Sequence, residues 1–476
     1  MEVLKNIEPC EVLKYFEEIC KIPHGSGNTK EISDYIVKFA KERNLEYYQD
    51  DLNNVIIIKG GNVKGEPVIL QGHIDMVCEK APDSLKDMEK EGIDLIVDGD
   101  FIKADKTTLG GDDGIAVAMM LALLDGTTFK HPRIEAVFTV DEETGMYGAA
   151  AIDLSPLKGK RMLNIDSEEE GIFTVSCAGG NMTSSCFDII REDCDGETKK
   201  ITVSNLTGGH SGVEIDKHRA NANVLISRIL MTLKENTDFK LISINGGLKD
   251  NAIPVEATAK VCIKDKDVLN DVCARLEKVF KNEYLATEKN LKVTVDKCEY
   301  EKPMDKKSTD TVIAALGCAP NGIFEMSAEI DGLVQTSLNI GTVKTTENEF
   351  SIGFCVRSSV DTQKEMLTQR IRTLTETLGG RVAVNGDYPG WEYKNKSPLR
   401  EVMIEVYEKQ YGKKPQIQAI HAGLECGLFA GKIKDLDCVS FGPELLEIHT
   451  FRERMSISSV QRTWKLLLSV LEMLSK

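Results

Sequence analysis

The chain has 476 residues and carries 59 Lys and Arg against 76 Asp and Glu, a formal charge of −17. That length exceeds one typical compact domain, and the acidic balance argues against nonspecific attraction to nucleic acid or to an anionic membrane. No window approaches the roughly 20 apolar residues needed to span a bilayer. The start, Met1-Glu2-Val3-Leu4-Lys5-Asn6, has no apolar signal core, so a cytoplasmic protein is expected. Thirteen cysteines without a C-x-x-C pair are expected to be reduced and mostly buried, Cys78 included, rather than disulfide-bonded or joined on zinc.

Residues 9–20 and 28–43 place apolar side chains at helical spacing, the second led by Asn28-Thr29 as a cap. Val55-Ile56-Ile57-Ile58 and Val68-Ile69-Leu70-Gln71-Gly72 read as strands, and the second ends in His73-Ile74-Asp75. In extended backbone His73 and Asp75 leave the same face, one able to bind a metal and the other to steady it. Beyond a polar insert at 79–92, Ile93 to Val97 and Phe101 to Lys103 flank Asp98-Gly99 as a hairpin. Thr108-Leu109-Gly110-Gly111-Asp112-Asp113-Gly114 then precedes ten residues, Ile115 to Leu124, that are apolar nearly all round and predict a buried helix. For one Asp at a helix mouth, a plain cap explains as much as a ligand does.

Arg133 to Val140 predicts a strand delivering Asp141-Glu142-Glu143 at its tip, where consecutive acids facing residues 112–113 would call for a divalent cation. Arg161 to Asp166 repeats the pattern of apolar strand and then carboxylate, and Ser167-Glu168-Glu169-Glu170 reads as solvated charge. Near residue 185 the texture changes to alternating strands, such as 200–204, with amphipathic helices at about 218–235, 266–281 and 361–378. Two halves share a coarse order. Paired strands at 239–245 and 255–263 precede a helix and a strand at 291–296; paired strands at 335–342 and 349–355 precede a helix and a strand at 380–385. A duplicated unit with helices on one face of an antiparallel sheet follows. After Lys396-Ser397-Pro398 the first texture returns, with a helix at 398–410, strands near 416–420 and 436–441, Glu447-Ile448-His449-Thr450, and a helix from Ser458 to Leu474. The expectation is an α/β protein: a discontinuous domain, mixed sheet flanked by helices, at 1–185 and 396–476, with an α+β domain inserted at 186–395.

His73, Asp112, Glu143, Asp166 and His449 offer two imidazoles and three carboxylates on separate loops. This mixed nitrogen and oxygen set suits a pair of Zn²⁺ or similar ions, one carboxylate bridging. The motifs G-H-I-D, G-G-D-D-G, D-E-E-T-G, N-I-D-S-E-E-E-G, G-G-H-S-G and H-A-G-L-E-C-G, in this order, resemble those of the M20 metallopeptidases, most closely the aminoacyl-histidine dipeptidase group.

The resemblance implies a zinc-peptidase-like catalytic domain in which His73, Asp112 and Asp166 hold one metal and His449, Asp112 and Glu143 the other. It makes Asp75 the residue that orients His73, Glu142 the general base, and the Asp112-Asp113 peptide bond cis. It makes the inserted domain a lid, in which His210 corresponds to the oxyanion donor, serving its own chain because the lid is doubled. Asn251 and Arg357 correspond to substrate-holding residues. The loop holding His421 and Gly423 corresponds to the receiver of the substrate's carboxyl end, without individual side-chain assignments. His24, His131 and His218 fall in no matching motif and are expected to be structural. The implied enzyme hydrolyses unblocked dipeptides, including Xaa-His types such as β-alanyl-histidine, with two divalent ions per chain, Zn²⁺ foremost and Mn²⁺ or Co²⁺ as alternatives. A homodimer is compatible with it. The rivals are a tripeptide aminopeptidase or N-acyl-amino-acid hydrolase on the same metals, and a binding protein that holds peptides without cutting them.

Overall fold

The structure, a computed structural model, describes Val3 to Ser475. These residues form two compact units: the first runs to Ser176 and includes Tyr393–Ala419 and everything from Leu424 on, and the second comprises Cys177–Glu392 with Ile420–Gly423.

The first unit is built on an eight-stranded sheet ordered Glu46–Gln49, Val55–Lys59, Ile134–Thr139, Val68–His73, Arg161–Asn164, Asp437–Ser440, Ile172–Cys177 and Gln416–Ile420. Four neighbouring strands, Ile134–Thr139, Val68–His73, Arg161–Asn164 and Asp437–Ser440, are parallel. The first two are fully buried, as parallel strands covered on both faces must be. His73 is in register with Thr139, and Gln71 with Asn164, so three carboxyl ends of parallel strands emerge side by side, the place where α/β sheets carry their ligands.

Helix Gly111–Asp125 is buried on all sides from Gly111 to Leu124, as its uninterrupted apolar run predicts, although Asp112 and Asp113 at its start have non-helical backbone. The Asp112-Asp113 bond is cis, as expected. Helices Cys10–Ile19, Lys30–Glu42, Pro398–Tyr411 and Ile457–Met473 supply apolar stripes to a core that includes Phe16, Phe138, Phe173 and Phe441. Thr29 stands at the N-cap of the second helix, but its side chain makes no cap hydrogen bond; its αR backbone departs from the extended form that aims a capping hydroxyl. The 95–104 hairpin forms and joins a small sheet with Arg454–Ser456 and Leu445–Leu446, which frames the loop carrying His449.

The second unit holds a nine-stranded antiparallel sheet over its own core. Its halves repeat one strand-helix-strand-strand-helix-strand unit. In the first half the strands are Glu197–Ser204, Phe239–Gly246, Ala257–Ile263 and Lys292–Lys297, and in the second Gly179–Asp188, Val334–Thr345, Glu349–Ser358 and Arg381–Tyr388. Spatial order is fourth-first-third-second in one half and the mirror sequence in the other, with Gly246 paired to Val343 at the seam. Sequence periodicity did not reveal the opening strand and the helix Lys306–Gly317 of the second half. The strand Gly179–Asp188 pairs with Glu349–Ser358, which is why this unit begins ahead of the change of texture near residue 185.

Three expectations are corrected. Cys194 and Cys262 form a disulfide with Cα atoms 6.6 Å apart; no spacing rule exposes a pair 68 residues apart that meets only when strands align. Cys78 is exposed rather than packed, in a cleft of about 700 Å³ with Ser26, Met88 and Glu143. The acidic run is not simply solvated: Glu168 is half-buried, and both Glu170 oxygens accept from Arg462 at 2.6 and 2.5 Å. His24 and His131 are buried and bound to the Ile22 and Pro132 carbonyls, and His218 is exposed. Among the described residues no helix is long and apolar enough to cross a membrane.

Candidate active site

His73 ends its strand fully buried. Its Nδ1 lies 2.9 Å from the Asp75 carbonyl, with the Asp75 carboxylate at 3.5 Å. The main chain of Asp75 therefore makes the closer contact, and a proton held there leaves Nε2 free as a ligand. That Nε2 lies 3.1 Å from Asp112 Oδ1 and 3.7 Å from Asp166 Oδ1. The other Asp112 oxygen, Oδ2, lies 3.1 Å from His449 Nε2, which is also 3.0 Å from Glu143 Oε1. Asp112 thus divides its two oxygens between the two imidazoles. His73, Asp112, Glu143, Asp166 and His449 converge although 376 positions separate the first from the last (449 − 73).

Asp75 accepts from Ser26 Oγ at 2.8 Å and from the Glu142 main-chain N–H at 3.2 Å. The Glu142 carboxyl is pushed up to about 8, chiefly by burial and then by the negative charges of Glu425, Glu143 and Asp112, with His73 opposing. Burial and neighbouring carboxylates likewise hold Asp113 and Asp166 well above the usual range. Around Asp112, burial works against the charged form, but the two imidazoles outweigh it and hold its carboxyl below the ordinary value. For His73 burial is outweighed by Asp112 and Asp75, and the ring stays well above its ordinary value. Asp112 and Glu143 raise His449 to about 10.

The donor set fits divalent cations. Among the described residues three groups have ligand atoms within 4.8 Å of one another: Asp112, Glu143 and His449; His73, Asp113 and Asp166; and His73, Glu142 and Glu143. Asp113 Oδ2 is buried with no hydrogen-bond partner, and bound cations would add to the counter-charge that the two imidazoles give this cluster of carboxylates. Asp113 is a neighbour that sequence reasoning left unassigned.

Reasoning from motifs also missed the support beneath these tips. Glu425, inside H-A-G-L-E-C-G, is fully buried; it accepts from Thr139 Oγ1 at 2.7 Å and from Gln71, whose Oε1 accepts from Asn164 at 2.6 Å. Side chains of three adjacent parallel strands are thereby laced together, Thr139 level with His73 and Gln71 and Asn164 each two residues before His73 and Asp166. Burial pushes Glu425 up to about 7. Its place in a named motif was the available signal.

In the second unit His210 pairs with Ala252, and the Ser211 N–H donates to the Asn251 carbonyl at 2.9 Å. His210 Nδ1 accepts from the Gly212 and Val213 N–H groups at 3.2 and 3.3 Å. Burial and Arg357 lower its pKa, so the ring is neutral with its proton on Nε2, a donor. A Cβ on Gly212 would stand 2.5 Å from the His421 carbonyl and 2.9 Å from the His210 ring; only glycine permits this approach. Asn251 and His210 line one open groove of about 820 Å³.

Buried Arg357 donates to Tyr388 Oη at 3.2 Å, and its Nε has no partner. His421 Nε2 lies 2.7 Å from Ser337 Oγ, and burial followed by Arg357 brings its pKa down to about 3. Gly423, half-buried, follows in the same loop. A guanidinium beside two neutral imidazoles suits an anionic or carbonyl-rich ligand.

Comparisons with known proteins bear on the family and the fold. A model described as a peptidase dimerisation domain, of the M20 type, matches residues 201–288. The chain is 38% identical to the cytosol non-specific dipeptidase of Escherichia coli (strain K12), covering 99% of each. A solved structure of aminoacylhistidine dipeptidase from Vibrio alginolyticus superposes with a TM-score of 0.93 at 35% identity, over 99% of this chain and 98% of that one. The aminopeptidase PepT of Bacillus cereus ATCC 10987 shares the fold, with a TM-score of 0.57 at 17% identity over 99% and 100%.

Proposed function

We propose, because this chain belongs to the M20 metallopeptidase family and to its aminoacyl-histidine dipeptidase group, that it is a cytoplasmic metallodipeptidase cleaving unblocked dipeptides, Xaa-His among them. The observation that carries the reading is the division of the Asp112 oxygens between His73 and His449, each at 3.1 Å. His73, Asp112 and Asp166 would hold one cation and Asp112, Glu143 and His449 the other, with Zn²⁺ preferred and Mn²⁺ or Co²⁺ accepted by the same donors. Bound there, the cations supply a lowered pKa for the attacking water and polarise the scissile carbonyl.

The chain's own residues do the rest. Glu142 takes the proton of the attacking water and returns it to the leaving amine. Asp75 fixes the His73 ring and the Glu142 main chain together. His210 donates from Nε2 to the developing oxyanion. Asn251, Arg357 and the His421–Gly423 loop hold the substrate, the guanidinium matching a terminal carboxylate.

Free dipeptides, tripeptides and N-acetyl amino acids, tested side by side on metal-reconstituted protein with metal counted per chain, decide the reading. Dipeptides should be preferred, and a preference for tripeptides or N-acetyl amino acids would overturn the specificity.

A further inference from the structure

Asp112 and His449 belong to loops with no strand pairing to each other. Asp112 opens the helix Gly111–Asp125, and His449 lies between Leu445–Leu446 and Arg454–Ser456. Glu453, four positions beyond His449 and 3% exposed, joins the two. Its Oε2 accepts the N–H groups of Leu109 and Gly110 at 2.8 and 3.2 Å, and its Oε1 those of Gly111 and Asp112 at 2.8 and 3.4 Å. Its own N–H donates to the Thr450 carbonyl at 3.1 Å, next to His449.

Four successive N–H groups on one carboxylate form an anion nest at the positive end of a helix. That helix has no local cap, because Gly110 at the N-cap has φ +70° and no side chain. Five other described helices are capped by short local side chains, Asn221, Asp265, Asp305, Ser397 and Ser456. A buried glutamate more than 300 positions distant is a different solution, and the Asp112 carboxylate repels it. The backbone is shaped for it: a Cβ on Gly111 would stand 3.2 Å from Glu453 Oε1 and 3.0 Å from Leu445.

We infer that Glu453 is a positioning residue, a clasp that sets Asp112 against His449 and thereby governs retention of the cation these two share with Glu143. The inference rests on the ligand assignments proposed above. The role requires both oxygens, because an amide has one acceptor and would turn its NH₂ toward two N–H donors.

The test counts metal per chain by elemental analysis during graded chelator challenge, with unfolding curves recorded in parallel, for the full-length wild type and for Glu453→Gln, Glu453→Asp and Glu135→Gln. Glu135 is the control: it is equally buried and accepts from the Lys158 and Gly159 N–H groups at 2.8–3.0 Å, at the start of Ile134–Thr139 and away from the ligands. Wild type should retain two cations. Glu453→Gln should release one of them at chelator strength lower by about 10–100-fold, Glu453→Asp should fall between, and Glu135→Gln should lose stability while holding both as wild type does. Folded Glu453→Gln with wild-type retention, or equal release by Glu135→Gln, overturns the clasp. If Glu453→Gln does not fold, wild-type retention in Glu453→Asp overturns it. Failure of both to fold while Glu135→Gln folds overturns it too, since the residue would then hold the fold and not the metal. A wild type that retains no cation refutes the ligand assignments instead.

Discussion

The Asp75 carboxylate accepts the Glu142 main-chain N–H at 3.2 Å, while the Asp75 carbonyl lies 2.9 Å from His73 Nδ1. One residue thereby fixes a proposed ligand and the proposed base together. Asp75→Ala keeps the carbonyl against His73 but loses the carboxylate that accepts from Glu142 and Ser26, so turnover should fall by about 10–100-fold, and Asp75→Asn, which keeps an acceptor for the Glu142 N–H, should lose less. Steady-state kinetics at measured metal occupancy check this; wild-type turnover in Asp75→Ala would remove Asp75 from the mechanism.

Glu142→Gln should cut kcat by about 10²–10⁴-fold with KM and metal content near wild type. Without cations the carboxyl is pushed up to about 8, and bound positive charge lowers it. The base must be deprotonated, so kcat rises with pH along an acid limb, and that limb should lie below pH 8 in the loaded enzyme and vanish in Glu142→Gln.

Cation loading should release protons. Asp112 and Glu143 raise His449 to about 10 in the free chain, so the ring is charged at neutral pH and must become neutral to bind metal. At pH 7, about one proton or more per chain should leave on saturation, and apparent affinity should rise with pH. Titration calorimetry in buffers of different ionisation enthalpy measures this, and a buffer-independent heat would contradict the ligand role of His449.

His421 ties the second unit's stability to pH. Its folded pKa, about 3, lies below the 6.5 of an ordinary histidine, so the unfolded chain binds more protons between those values. Its contribution is complete above pH 6.5 and is lost as pH falls toward 3, a change on the order of 5 kcal/mol. His421→Gln, which keeps an amide partner for Ser337, should show a smaller loss of urea midpoint between pH 7 and pH 4.5 than wild type. Equal losses would refute the buried neutral assignment.

His210→Ala should lower kcat by about 10²–10³-fold, more than it raises KM, because an oxyanion donor acts mainly in the transition state. A change confined to KM would make His210 a substrate contact alone.

By itself the sequence determined the local elements and the loops that bear the chemistry. The periods of strand and helix are short-range properties, so Val68–His73, Ile134–Thr139 and the all-apolar Gly111–Asp125 were legible without any partner in view. The motifs at their ends singled out His73, Asp112, Glu142, Glu143, Asp166 and His449, which the fold brings together. The strand Gly179–Asp188 escaped because its glycines and serines carry little β signal, and helix Lys306–Gly317 carries only a weak apolar stripe.

Only the tertiary structure decided what each carboxylate faces. That Asp112 serves two imidazoles, that Glu425 sits dry beneath three strands, that Glu453 clasps a loop more than 300 positions away and that Cys194 meets Cys262 all depend on chain segments brought together by burial. An isolated Glu reads as solvated charge in any local window. Its role is set by which N–H groups and which charges the fold places against it, and no local period encodes that.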